Sequence, residues 1–418
     1  MKFNRPILFG VILFLTSIFY GCGSQQPSSS GNVSYPTKGV TNGFTLPPLN
    51  GPNILALTVN GSTCAADSYI NKPCVSIQIC APGSTSNCQT VNDILVDTGS
   101  FGLRVFKSVL NSSLLNGLTQ VLTVDNKTAA ECVEFGDGSK DWGPVQKADI
   151  VLGSEPAVTV PIQVIDSTFS GSGGSAVCSG AETDPTSAGL NGILGVGLLK
   201  HDCGSDCSSQ APNGLYYGCT AGVCSGSRVS LVNQVQNPVS LLPVDNNGVI
   251  LELPVIPFGG VASLEGYLVL GIGTQSNNIP QQVDVYQTNS RGNFTTEYNG
   301  VTYSSSFLDS GSNGYFFPGS LSTCSSSSGL LGWFCLPSVS EQSALNLGFG
   351  NSARSQTVFY IGDALYLAQS GNRVFLELGA SSGGSSFDWG LPFYVGRNVY
   401  VGFEQSTSGL GTGPYWAY

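Results

Sequence analysis

The stretch Asp93-Ile94-Leu95-Val96-Asp97-Thr98-Gly99-Ser100 reads as a buried strand that runs into a tight turn, with a carboxylate where the apolar run ends. A second copy stands 212 residues downstream, in "SSFLDSGSNGYFFP", as Phe307-Leu308-Asp309-Ser310-Gly311-Ser312. Both copies are two apolar residues, then Asp, a hydroxyl residue, Gly and Ser. One such hexad in a long chain is weak evidence. Two of them, one in each half, indicate an internal duplication.

The residue types suit a pair of facing carboxylates. An Asp at a strand end projects beyond the sheet, and Gly lets the chain turn sharply and another backbone come close. Hydroxyls nearby can fix the orientation of a carboxylate. Two carboxylates brought face to face do not both ionise easily, so they titrate as a unit with one proton shared. Such a pair can activate a water as base and protonate a carbonyl oxygen or leaving amine as acid.

The surrounding chain agrees with a mostly β protein. Of 418 residues, 41% are hydrophobic, enough for a large core, and only 10% are charged. Short alternating runs such as "GVILELPV" and "NVYVGFEQ" are broken by Gly, Asn and Ser turns. The pattern predicts short helices at "SALNLGF" (343–349) and in the segment near 229–235. A net charge of −11 argues against a nucleic-acid partner, because the phosphate backbone calls for Lys and Arg.

The N-terminus, "MKFNRPILFGVILFLTSIFYGCGS", carries Lys2 and Arg5, an apolar run, and then Gly21-Cys22. This is a signal-peptide pattern covering residues 1–21, and its ending resembles a bacterial lipoprotein cleavage site with Cys22 as the lipidated residue. The plainer alternative is an uncleaved membrane anchor. Residues 22–50 follow as a Ser-, Gly- and Pro-rich tether. Removing Cys22 from the 13 cysteines leaves an even set, and an exported chain meets an oxidising compartment, so disulfides are expected throughout. Cys324 and Cys335 stand apart from the rest and should bond to each other. Cys203, Cys207, Cys219 and Cys224 with His201 offer a weaker zinc reading, since their spacing is irregular. No cofactor or metal is expected. With His201 as the single histidine, a Ser-His-Asp triad has little support, and no phosphate-binding Gly-rich loop is present. "DWG" at Asp388 reads as a solvated turn more readily than as a functional tip.

The two hexads resemble the Asp-Thr/Ser-Gly motifs of pepsin-like aspartic peptidases, the family that exemplifies the shared-proton dyad. Further elements fall in that family's order. "NGILGVG" (Asn191–Gly197) is similar to its first apolar-apolar-Gly element, and "LPFYVGRNVYVGFEQ" to the second, at Tyr394-Val395-Gly396. "CVEFGDGSKDWGPVQKADIVLG" (Cys132–Gly153) is similar to its substrate-covering flap, with Phe135, Gly136, Asp137 and Gly138 towards the tip. The likeness spans roughly residues 51–418, and the chain also resembles a set of bacterial lipoproteins grouped only as a domain of unknown function.

The resemblance implies a two-lobed β fold with a cleft between the lobes, residues 51–235 forming one lobe and 236–418 the other. It implies a catalytic dyad of Asp97 and Asp309. Gly99 and Gly311 would belong to the catalytic loops, Ser100 and Ser312 would support the carboxylates, and Thr98 and Ser310 would bridge the loops beneath them. Phe135 stands for the flap tyrosine and Arg104 for its usual tryptophan partner, so a cation–π pair between them is expected. Arg397 follows the second Gly element, where it would lower a carboxylate pKa. The function implied is an aspartic endopeptidase acting on peptide or protein substrates. It would be a monomer, lipid-anchored in the bacterial cell envelope and preferentially at the outer membrane. The competing classes are a peptide-binding lipoprotein that keeps the cleft but cleaves nothing, and a structural or adhesive envelope protein.

Overall fold

The computed structural model describes Leu46 and residues 49–418, so the signal peptide and nearly all of the tether, Cys22 among them, lie outside the described residues. The chain is mostly β, 42% strand and 12% helix, with barrel-like sheets. A 16-stranded sheet, a seven-stranded sheet and a two-stranded ribbon account for the strands.

One topological unit occurs twice. In the first half, strand Cys88–Asp97 leads through the first Asp loop into strand Phe101–Phe106. Strand Gly192–Val196 inserts between them, parallel to the first and antiparallel to the second. Phe101–Phe106 also pairs in parallel with Val158–Ile165. In the second half, strand Val301–Leu308 leads through the second Asp loop into Tyr315–Phe317. Asp388–Trp389 inserts between them, parallel to one and antiparallel to the other, and Tyr315–Phe317 pairs in parallel with Gly379–Ser381. The duplication legible in the two hexads therefore extends to four strands in each half.

In the first half the sheet closes on itself. Lys140–Val151, Val158–Ile165, Phe101–Phe106, Gly192–Val196, Cys88–Asp97 and Pro73–Cys80 follow one another, and the last pairs back to the first. Closure removes exposed edges and buries alternate side chains inside. Val75, Ile77, Ile94, Val96, Leu103, Val105, Leu194 and Val196 fill that interior. The two halves are joined by backbone pairing, since Ile54–Val59 pairs over six residues with Leu264–Leu270. Phe317, Phe359, Phe387 and Trp389 form a stacked and edge-to-face aromatic group under the second Asp loop.

The short helices expected from the pattern are corrected. Residues 343–347 lie in the long strand Cys335–Leu347, which pairs with Arg354–Asp363 and buries Ala344 and Asn346 alternately. The period is two, not 3.6, so Ala344 and Asn346 share the buried face of the strand and Leu345 and Leu347 the half-exposed one. Near 229–235 only a single 3-10 turn forms, at Leu231–Asn233.

All 12 described cysteines are paired: Cys64–Cys74, Cys80–Cys88, Cys132–Cys178, Cys203–Cys207, Cys219–Cys224 and Cys324–Cys335. The His201 cluster thus has no free thiolate for a metal.

Candidate active site

Each Asp is placed by a strand that ends where its partner strand turns to glycine: Asp97 lies beside Gly195, and Asp309 N–H donates to Trp389 O at 3.1 Å, next to Gly390. The two loops then meet face to face. A Cβ added to Gly99 would lie 2.7 Å from the Asp309 carboxyl carbon, and one added to Gly311 would lie 2.8 Å from an Asp97 carboxylate oxygen. Each glycine is therefore required by the opposite carboxyl, and the Asp97 and Asp309 carboxyls lie on facing loops. Burial pushes the Asp309 carboxyl well above the usual carboxylate range, and Asp97 and then Asp388 add to the effect.

Beneath the carboxyls the loops interlock symmetrically. Thr98 N–H donates to Ser310 Oγ at 3.1 Å, and Ser310 N–H donates to Thr98 Oγ1 at 3.0 Å. The hydroxyls in turn donate across the pair, Thr98 to Leu308 O at 3.1 Å and Ser310 to Val96 O at 2.7 Å. Both side chains are buried. Gly99 N–H donates to Asp97 Oδ1 and Gly311 N–H to Asp309 Oδ1, each at 2.8 Å. Thr98 and Ser310 thus tie the two loops to each other, and each carboxyl is bonded by the glycine N–H of its own loop.

The outer hydroxyls differ. Ser312 Oγ lies 2.9 Å from Asp309 Oδ2, as expected of a supporting group. Ser100 Oγ is buried with no hydrogen-bond partner among the described residues, so the supporting role expected for Ser100 is corrected.

Two further expectations change. The element inserted beneath the second loop is Asp388-Trp389-Gly390, in register with Phe307 and Leu308, and not Tyr394-Val395-Gly396. Register makes Asp388 the counterpart of Ile193 and Gly390 that of Gly195. Asp388 is accordingly 2% exposed rather than a solvated turn. Tyr394 instead places its hydroxyl 2.7 Å from Thr98 Oγ1. Arg397 lies past this region: its guanidinium donates to Phe393 O at 2.6 Å and sits 4.5 Å above the Phe393 ring. Its bonding is to the second-half core and not to a dyad carboxyl.

The segment resembling a flap is a hairpin. Strands Thr128–Glu134 and Lys140–Val151 pair up to Glu134 and Lys140, and residues 135–139 form the turn. Asp137 Oδ1 accepts from Ser139 N–H and Oγ, and Gly136 and Gly138 are exposed. Phe135 is half-buried against a cluster containing Leu95, Leu190 and Ile193. The cation–π pair with Arg104 is corrected. Arg104 is buried with its guanidinium paired to Glu131 at 2.6 Å and Asp202 at 3.3 Å. A buried guanidinium needs carboxylates more than a ring face.

Tyr69 is a residue that sequence reasoning missed. It lies in the loop closed by Cys64–Cys74, packs beside Phe135, and its hydroxyl donates to Gly311 O in the second Asp loop. Burial, then Asp309 and Asp97, push its phenol well above the usual range. Asn71 anchors the same loop to the second half, donating to Asn313 O at 2.7 Å and accepting from Phe375 N–H at 2.7 Å. Nothing local marks Tyr69, because the partner of its hydroxyl lies 242 residues away.

Residues 50–418 match the family model described as "Protein of unknown function (DUF3443)", and the chain belongs to that family. No curated protein matches the chain.

Proposed function

We propose that the protein is an aspartic endopeptidase with a two-lobed, pepsin-like architecture, Asp97 and Asp309 lying at the base of a cleft between lobes 51–235 and 236–418. The observation that carries this reading is the mutual approach of the two carboxyls across interlocked loops. Each loop has a glycine that the opposite carboxyl requires. One carboxyl of the pair is ionised and the other protonated. The ionised one takes a proton from a bound water as the water oxygen attacks the peptide carbonyl carbon. The protonated one gives its proton to the carbonyl oxygen. Collapse of the resulting gem-diol breaks the C–N bond as the carboxyl that took the water proton gives it to the leaving nitrogen and a gem-diol hydroxyl returns a proton to the other carboxyl, restoring the dyad. No metal or cofactor is required by this scheme.

The N-terminal pattern extends the reading to a lipoprotein of the bacterial envelope, held through Cys22 with a peptide or protein as its substrate. Several acyl chains on one cysteine suffice for stable anchoring. Acid-pH incubation with a denatured protein tests the activity: cleavage that a statine-type inhibitor blocks supports it, and an inert substrate contradicts it.

A further inference from the structure

A third carboxyl adjoins the dyad. Asp388 Oδ2 lies 2.7 Å from Ser312 Oγ, and the same Oγ lies 2.9 Å from Asp309 Oδ2. Asp388 is 2% exposed, and its other oxygen, Oδ1, is buried with no partner among the described residues. The corresponding position in the first half is Ile193, so the duplicated unit does not need a carboxyl here.

A hydroxyl has one proton. Ser312 Oγ cannot donate to both carboxyls, so one of its two contacts must be donated by a protonated carboxyl. The backbone decides which. Asp309 Oδ1 accepts from Gly311 N–H at 2.8 Å and Ser312 N–H at 3.2 Å, and both bonds favour its ionised form. Asp388 accepts from no backbone N–H among the described residues. The titratable groups facing Asp388 are Asp97, Asp309 and the Tyr394 phenol, none of them a cation.

We propose that Asp388 is a positioning residue that carries a proton at neutral pH and donates it to Ser312 Oγ, directing the single Ser312 hydroxyl proton onto Asp309 Oδ2. Three carboxyls then share two protons: one within the dyad and one on Asp388. Burial raises both the Asp388 and the Asp309 carboxyls well above the usual range, so what separates them is the pair of backbone N–H groups on Asp309 Oδ1. Ionising Asp388 would draw the Ser312 proton away from Asp309 and place a like charge beside the dyad. The proton on Asp388 is a matter of geometry alone, whereas its catalytic consequence rests on the peptidase reading above.

Infrared difference spectroscopy at pH 7 tests the proton directly, without any need for activity. Wild type minus Asp388→Asn should show a lost carboxylic-acid C=O band, and Ser312→Ala should shift that band without removing it. Loss of a carboxylate band in the first comparison, or no shift in the second, overturns the proposal. The two comparisons are independent, so a poorly folding Asp388→Asn leaves the Ser312→Ala result to decide. In peptide cleavage, Asp388→Asn keeps an N–H donor for Ser312 and should stay within about twofold of wild type. Asp388→Ile should lose about tenfold in kcat with KM unchanged, the loss of one hydrogen bond to a charged system. Equal losses in Asn and Ile overturn the positioning role. If wild type itself cleaves nothing, the peptidase reading fails while the infrared bands still decide where the proton sits.

Discussion

Replacing Thr98 by Val keeps the shape of the side chain and deletes one oxygen from the interlock. That oxygen accepts the Ser310 N–H at 3.0 Å, bonds Leu308 O at 3.1 Å and lies 2.7 Å from the Tyr394 hydroxyl. The floor is dry, Thr98 and Ser310 being 2% and 0% exposed, so water does not replace what is lost. Two buried donors, the Ser310 N–H and the Tyr394 O–H, are left without their acceptor. An unpaired buried donor costs about 1–3 kcal/mol, giving about 2–6 kcal/mol for the substitution. Thr98→Ser keeps the oxygen and loses only a methyl group, costing about 1 kcal/mol. Urea unfolding measures both: Thr98→Val should lower the midpoint severalfold more than Thr98→Ser, with the slope unchanged. Ser310→Ala, combined with Thr98→Val in a double-mutant cycle, should show coupling of about 1–3 kcal/mol. Equal costs for Val and Ser, or additive effects in the cycle, would refute the interlock as a cooperative unit.

Stability should depend on pH in an unusual direction. Burial pushes Asp141 to about 7 from 3.8 and Glu377 to about 7 from 4.5. The folded chain then binds these protons more tightly than the unfolded chain. Their stabilisation is complete below about pH 4 and is lost as pH rises towards 7. Thermal unfolding between pH 4 and 8 should show this fall, and Asp141→Asn and Glu377→Gln should each flatten it; a steady rise with pH contradicts the assignment. Arg104→Met should cost about 3–5 kcal/mol by leaving Glu131 and Asp202 buried without their cation, measured by denaturant unfolding. Removing Cys132–Cys178, which closes 46 residues, should cost about 4 kcal/mol, against about 2 for the four-residue Cys203–Cys207 loop. Replacing Cys22 by Ser should release a soluble protein in cell fractionation with all six disulfides intact. A new unpaired thiol in that variant would place Cys22 in the disulfide set.

The sequence revealed those features whose physical cause is local. Two copies of Asp-hydroxyl-Gly-Ser marked the loops, because a facing pair of carboxyls demands small, hydroxylated neighbours in each. Cysteine parity marked an oxidised chain, and the isolated Cys324 and Cys335 could only pair locally. The features it hid depend on distant register. Asp388 looks like a turn residue until strand pairing sets it against Phe307 and makes it the equivalent of Ile193. Comparing "ILG" with "DWG", and not with "YVG", was the available signal. The setting of Arg104 is equally non-local: three acids supplied by other segments, Glu131, Asp141 and Asp202, lie around its guanidinium. Tyr69 has no local signature at all, since its role comes from a loop crossing between halves.

Cleavage of a denatured protein at acid pH by wild type, Asp97→Asn and Asp309→Asn tests the central claim most directly. Removing one member of a concerted acid–base pair should reduce kcat by at least about 10²–10⁴-fold in either variant, with folding unchanged by circular dichroism. Cleavage by wild type that persists at a similar rate in both variants would contradict a catalytic role for the Asp97–Asp309 pair.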